Sequence, residues 1–302
     1  MPVFGKEEKE HMRKLSAGDL KLIGEGRTAD VYELSETEVL KVYHPFYQEE
    51  LIYDDWNNTR RGMRAGIPCA GALEMVRVGD DRLGTIYERV SPTNISEEIN
   101  KALREKDENE IHRWISYYAD FAKKMHQLLV KKDELPTAKE ICRSKIEELK
   151  GSVFPEELCV ELQNFTDQIP DNDTFLHGDF NFTNVPMPGE GDKLIDIGWA
   201  CIGDEIFDFL FLGTMTKLIG VINPNKMEES TGITIEQWCF LEEEILKQYF
   251  KELTEAQREY KKKQIDALGI LYGISNLNNS GIFQTMPDLK EICTRIMKGA
   301  LR

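Results

Sequence analysis

No apolar run in this chain of 302 residues approaches the roughly 18 needed to cross a bilayer, so no membrane span is expected. The opening MPVFGKEEKEHMRKL is charged where a secretory leader needs an apolar centre, so export by that route is not expected. The cysteines, at 69, 142, 159, 201, 239 and 293, never form a C-x-x-C pair. Neither a zinc cage nor a disulfide framework is indicated, and a reducing cytoplasmic setting fits. Basic residues are in deficit: 38 Lys and Arg against 54 Asp and Glu give a formal charge of −16. Such a chain repels nucleic acid and anionic membrane surfaces. The same balance favours a cationic small molecule, although solubility alone accounts for many acidic proteins. No G-x-x-x-x-G-K-[ST] and no G-x-S-x-G occur, which removes the Walker phosphate loop and the serine-hydrolase elbow.

What is present is enough apolar residue, 41%, for a packed interior, over a length that suits two domains. The first 90 residues read as β-rich. DLKLIG, ADVYELS, EVLKVY, GALEMVRV and LGTIYERV are β-branched or aromatic runs separated by turn residues. FYQEELIYDDWNNTRRGMRAG, between the third and fourth, reads as a helix with Ile52, Trp56 and Met63 on one side, stopped at Gly66-Ile67-Pro68. The expectation is a five-stranded antiparallel lobe over 1–90 with one inserted helix. Residues 91–302 change to long amphipathic helices, predicted near 107–130, 138–150, 154–167, 205–220, 234–251, 254–278 and 287–300. Within them, 174–200 reads as a hairpin-like insert, two short apolar runs joined through NVPMPGEG.

Several residues are placed as chemistry would place them. IGEGRTADVYEL joins two strands through Gly24 and Gly26, and glycines let backbone N–H groups approach phosphate oxygens closely. The ordinary alternative is a simple hairpin. Lys41 lies inside the apolar strand EVLKVY, where it either snorkels or meets an anion. Helical geometry offers Asp55 or Glu49 as that anion and turns Asp54 and Glu50 to water. HGDFNFTN (177–184) and LIDIGW bring Asp179, Asn184 and Asp196, hard oxygen donors of the kind Mg²⁺ takes. Asp179 can instead accept a proton from a hydroxyl. Asp204 reads as a helix cap, and Asp208, between two phenylalanines, as an inward residue bonded to backbone. His126 reads as a packed histidine and His177 as a brace for its loop.

Glycine turn, strand lysine, helix acid, H-G-D-x-x-x-x-N and I-D-x-G, in this order, resemble the aminoglycoside phosphotransferase and choline kinase superfamily of protein-kinase-like enzymes. LIDIGWACIGDEIFDF and RRGMRAGIP carry the resemblance further, and the spacing to Gly-Ile-Pro favours Asp55 over Glu49. The resemblance implies a bilobal α+β fold with a nucleotide-binding first lobe and a helical second lobe holding the catalytic loop and acceptor pocket. It implies ATP or GTP as phosphate donor, with the glycine turn over the triphosphate and Lys41 on the α- and β-phosphates. It further implies Mg²⁺ on Asn184 and Asp196, Asp179 at the acceptor hydroxyl, and Glu88 and Val90 of YERV as the purine hinge. The acceptor is a small molecule such as an aminoglycoside, amino alcohol or sugar. Three departures are visible: Asp stands where the family has Glu, Ala29 replaces a third glycine, and the catalytic loop lacks the lysine of protein kinases. The first two motivate an alternative, a pseudokinase that binds nucleotide without turning it over.

Overall fold

The computed structural model describes residues 12–26, 28–79, 82–90, 93–189 and 193–302. Residues 1–11 of the charged opening, Arg27 of the glycine turn, Ser91-Pro92 at the expected boundary and residues 190–192 of the expected hairpin turn lie outside them. The contacts divide the chain into two units: Met1–Thr93 with Pro186–Ala200, and Asn94–Val185 with Cys201–Arg302.

The first unit is built on a sheet of β1 (Lys14–Leu15), β2 (Lys21–Glu25), β3 (Ala29–Glu33), β4 (Glu38–Tyr43), β5 (Ala72–Val78) and β6 (Arg82–Glu88). Its order is β1-β5-β6-β4-β3-β2. The five expected strands are all there and pair antiparallel. The sheet is nevertheless six-stranded and mixed, because β1 adds parallel to β5 at its edge. Two residues carry no alternation to read. β1 is held by main-chain bonds from Arg77 to Arg13 (2.9 Å) and from Gly79 to Leu15 (3.0 Å).

Side chains alternate along β4. Leu40 and Val42 enter an apolar cluster with Val76, Val78 and Ile86. Lys41 and Tyr43 therefore face the other way, where Tyr43 packs with Ile52, Tyr53 and Trp56 of α1 (Glu49–Arg64). The buried stripe of α1 is Ile52, Trp56, Thr59 and Gly62. Met63 is not part of it and stands 40% exposed. Gly62 replaces it at the contact: a Cβ there would lie 2.7 Å from the Ile197 side chain.

The second unit is helical: α2 (Ser96–Glu105), α3 (Glu108–Met125), α4 (Ala138–Leu149), α5 (Glu156–Asp167), α6 (Leu210–Gly213), α7 (Gly220–Ile222), α8 (Pro224–Thr231), α9 (Ile235–Tyr249), α10 (Glu255–Asn279), α11 (Ile282–Thr285) and α12 (Asp288–Ala300). Among the described residues no helix is long and apolar enough to cross a membrane. Two expectations change. The hairpin-like insert does not close on itself. β7 (Phe175–Leu176) pairs with β8 (Cys201–Ile202), while Leu194 bonds through its N–H to Pro68 and through its carbonyl to Ala70, both at 2.8 Å. The helix expected over 205–220 is a relay of 3₁₀ turn Glu205–Phe209, α6, π-helix Thr214–Ile219 and α7.

Two neighbours in the π-helix converge on one acid. Thr216 and Lys217, adjacent in sequence, both reach the buried Glu242 of α9, at 3.1 and 3.3 Å. Lys262 joins Glu242 (2.8 Å) to Asp266 (3.0 Å). Burial, then the neighbouring Glu242 carboxylate, push Asp266 up to about 7 against the pull of Lys262 and Lys217. Backbone closeness sets the other constraint on α6. A Cβ on Gly269 would stand 2.5 Å from the Leu210 carbonyl.

Gly269→Ala is expected to cost about 2 kcal/mol through overpacking against rigid backbone, read as a lower urea midpoint at unchanged slope. Asp266 carries a raised acid pKa, so its contribution to stability is full below the ordinary carboxylate range and is lost as pH rises through about 7. Asp266→Asn should accordingly gain stability relative to the parent as pH is raised from 5 to 8. A difference that stays constant over that range would contradict the shift.

Candidate functional site

In the first unit the Lys41 ammonium donates to Asp55 Oδ2 at 3.0 Å and to Asp196 Oδ1 at 2.6 Å. Glu49, the other acid that helical geometry allowed, instead accepts from the Tyr53 hydroxyl at 2.9 Å. Burial alone would depress the Lys41 pKa. Asp196 and then Asp55 overcome it and hold the ammonium well above the usual lysine value. Tyr43, not singled out by the sequence, donates its hydroxyl to the same Asp55 Oδ2 at 2.6 Å. Its place two residues beyond Lys41 on the same strand face was the available signal.

Asp196 reaches Lys41 because its backbone is left-handed, with φ +57°. Asp tolerates that region better than most residues, though at some cost. The turn that follows is packed tightly. A Cβ on Gly198 would lie 2.0 Å from Asp55 Oδ1, and Asn58 Nδ2 donates to the Gly198 carbonyl at 2.8 Å. Glycine in I-D-x-G is thus required by close approach to α1. Lys193 pairs with the Glu88 carboxylate, which lies below the usual range chiefly through that bond.

Gly24 lies at the irregularity in the β2–β3 register. Gly26 closes the turn, its N–H donating to the Ala29 carbonyl at 2.9 Å, and a Cβ at Gly26 would stand 2.8 Å from that oxygen. At the end of β6 the Glu88 N–H donates to the Gly71 carbonyl at 2.8 Å. Val90 follows, half-buried.

In the second unit Asp179 and Asn184 share one loop. Asn184 Nδ2 donates to the Asp179 carbonyl at 2.8 Å, which turns its amide oxygen away from that bond. Asn181 Nδ2 donates to Asp179 Oδ1 at 3.1 Å. The Asp179 N–H donates to His177 Nδ1 at 3.3 Å, so His177 braces the loop. Asp208, 2% exposed, accepts from the His177 N–H at 2.9 Å and the Gly178 N–H at 2.8 Å. Gly178 permits the turn, with φ +79°. His126 does more than pack: Nε2 is 3.0 Å from Asp208 Oδ2 and Nδ1 is 2.6 Å from the Tyr249 hydroxyl. A carboxylate only accepts, so Nε2 carries the proton and, for the neutral ring, Tyr249 donates to Nδ1. Phe180 and Phe182 flank Tyr118 at ring separations of 4.7 and 5.1 Å, and Tyr118 donates to the Phe180 carbonyl at 2.8 Å.

The structure therefore brings Lys41, Asp55 and Asp196 together in the first unit, and Asp179 and Asn184 together in the second. Asn276 and Asn279 are exposed on the last turns of α10, which closes at Gly281 with φ +74°.

The sequence model of the phosphotransferase enzyme family matches residues 19–225, more than half of the chain. The chain belongs to that family. The resemblance expected from the motifs is thereby borne out. No curated protein sequence matches. Among solved structures, aminoglycoside phosphotransferase APH(2'')-Ib with ADP bound is 14% identical, over 98% of this chain and 96% of that one, with a TM-score of 0.57. The GDP and kanamycin complex of APH(2'')-IIIa is 13% identical over 94% and 93%, with a TM-score of 0.56. A thermostable mutant of APH(4)-Ia in a ternary complex with AMP-PNP and hygromycin B is 12% identical over 94% and 93%, also at 0.56. At these identities the likeness establishes the protein-kinase-like fold of the family member.

Asp208→Ala would strand two buried N–H groups and His126 Nε2 without their acceptor. An expected loss of about 3 kcal/mol, measured by urea unfolding, follows from the desolvation of those donors. Stability within 0.5 kcal/mol or so of the parent would contradict the anchoring role.

Proposed function

We propose that the chain is a kinase that moves the γ-phosphate of ATP or GTP to a hydroxyl of a small molecule. The observation that carries this reading is the Lys41 ammonium, held charged on a strand by the Asp55 carboxylate of the inserted helix. Phosphoryl transfer asks a protein mainly for positioning and charge neutralisation. A fixed, permanently charged lysine supplies both toward the α- and β-phosphates. Gly24 and Gly26 keep the turn free of side chains beside the triphosphate; the Gly26 N–H is already bonded to the Ala29 carbonyl, so Gly26 serves by the tightness of the turn rather than by donating. Since the Glu88 N–H is already bonded to Gly71, a purine contact there falls to the Glu88 carbonyl, with Val90 as the complementary group.

Asp196, in the first unit, and Asn184, in the second, are each suited to Mg²⁺. Asp196 presents a carboxylate 46% exposed, and Asn184 has an amide oxygen left over after its own loop bond. Both are hard oxygen ligands. When bound, the ion would neutralise phosphate charge. Asp179 aligns the acceptor hydroxyl and takes its proton, its loop kept rigid by Asp208. The complexes of the structural neighbours with GDP, ADP and AMP-PNP, and with kanamycin and hygromycin B, support a nucleotide donor and a small acceptor. The acidity of the chain favours a cationic acceptor, such as an aminoglycoside or amino alcohol, in a cytoplasmic setting. The pseudokinase alternative drew on Asp replacing Glu and on Ala29 replacing a glycine. The first ground weakens, because Asp55 reaches Lys41 directly.

A phosphotransfer screen with Mg-ATP and Mg-GTP across aminoglycosides, amino alcohols and sugars tests the reading; nucleotide binding without transfer to any of them would favour the pseudokinase. Asp179→Ala should lower kcat on the order of 10³-fold, the scale of a lost general base, while nucleotide affinity stays within about twofold. Retained turnover would remove Asp179 from the mechanism.

A further inference from the structure

Tyr43 is 1% exposed, and its ring is fixed on both sides. It stacks on Tyr47 at 5.9 Å with 7° between planes, and packs into the cluster of Ile52 and Trp56. The hydroxyl therefore has little freedom to choose its partner. That partner is Asp55 Oδ2, the oxygen that also accepts from Lys41. Burial and then the Asp55 charge hold the phenol well above its ordinary pKa, so it stays a donor.

The second oxygen, Asp55 Oδ1, is buried and has no hydrogen-bond partner among the described residues. Oδ1 points instead at the Gly198 backbone, where a Cβ would be only 2.0 Å away. All the polar attachment of this carboxylate thus falls on Oδ2. Aspartate is one methylene shorter than the glutamate that the family resemblance anticipates. With Lys41 as its only hydrogen-bonded tether, the carboxylate could twist part-way about its last side-chain bond and leave neither oxygen in line with the ammonium. The bond from Tyr43 opposes that rotation, and a charge-assisted O–H···O⁻ bond is among the stronger hydrogen bonds available.

We infer that Tyr43 is a positioning residue for nucleotide phosphate binding: its hydroxyl fixes the orientation of Asp55 and, through it, the Lys41 ammonium. The inference rests on the proposed kinase reading and deepens it. A buried tyrosine that merely satisfies its own hydroxyl would have a different signature. It would contribute to folding and leave the discrimination between phosphorylated and unphosphorylated ligands alone.

The test compares the parent with Tyr43→Phe, which removes one oxygen and keeps the ring. Tyr43→Met serves as a second hydroxyl-free variant should the first not fold, since methionine fills irregular gaps. Calorimetric titrations with adenosine, guanosine and their Mg²⁺ triphosphates separate phosphate contacts from purine contacts. The expected result is triphosphate affinity lowered about tenfold, the scale of one hydrogen bond to a charged group, with nucleoside affinity within about twofold of the parent. Lys41→Met, which deletes the ammonium itself, should show the same pattern more strongly. Unchanged triphosphate affinity in a folded Tyr43 variant would overturn the inference, as would a parallel fall for nucleoside and triphosphate. A parent protein that binds no nucleotide would take down the kinase reading and this inference together; binding by the parent with no change in the variant removes this inference alone.

Discussion

One half-hidden ammonium, that of Lys41, is claimed by two carboxylates, one near it in the sequence and one 155 residues away, and the first unit is arranged around that claim. Asp55 arrives on α1, whose buried stripe clamps it to the sheet. Asp196 arrives on a segment far along the chain, which joins this unit through main-chain bonds at Pro68 and Ala70. An uncompensated lysine in such surroundings would lose its proton or leave. With two acids beside it the charge persists, and it persists in one place. Tyr43 and Gly198 extend the same logic outward: one restrains the nearer carboxylate by a hydrogen bond, the other by letting backbone come close.

The second unit solves a similar problem with the signs reversed. Asp208 is a buried negative charge, compensated by two N–H groups and an imidazole rather than by a lysine. Buried charges of this kind are tolerated only when they are fully hydrogen-bonded. The consequence is a loop whose backbone is held at His177 and Gly178, next to Asp179. Phe180 and Phe182 pack with Tyr118 and seal the loop from beneath. The polar residues of HGDFNFTN are thus carried on an apolar base, which explains why such unlike side chains alternate there.

Away from these charges the helical unit shows how packing reshapes regular structure. Gly269 lets two helix backbones meet. The π-helix at Thr214–Ile219 lets neighbouring residues converge on Glu242, a buried acid kept below the usual carboxylate range, against its burial, by Lys262 and Lys217.

Periodicity and turn chemistry were enough to place β2 to β6, α1 and most of the long helices, because each has an apolar face with a readable repeat. The order of motifs likewise identified the family, since glycine turn, strand lysine and H-G-D-x-x-x-x-N are local patterns. What the sequence left open were matters of partnership. Helical geometry offered both Glu49 and Asp55 to Lys41 and the resemblance favoured Asp55; the contact of 3.0 Å is to Asp55. The sequence read 174–200 as one hairpin, whereas β7 found β8 and Leu194 found Pro68 and Ala70. It passed over β1, too short to show an alternation, and the hydroxyl of Tyr43, which only its place on the face of Lys41 could have suggested. It also passed over α2, although Ile99, Ala102 and Leu103 carry a readable helical spacing. The physical reason for the open partnerships is one: a repeat is written along the chain, but which charge neutralises which is settled only when distant segments compete for the same buried space.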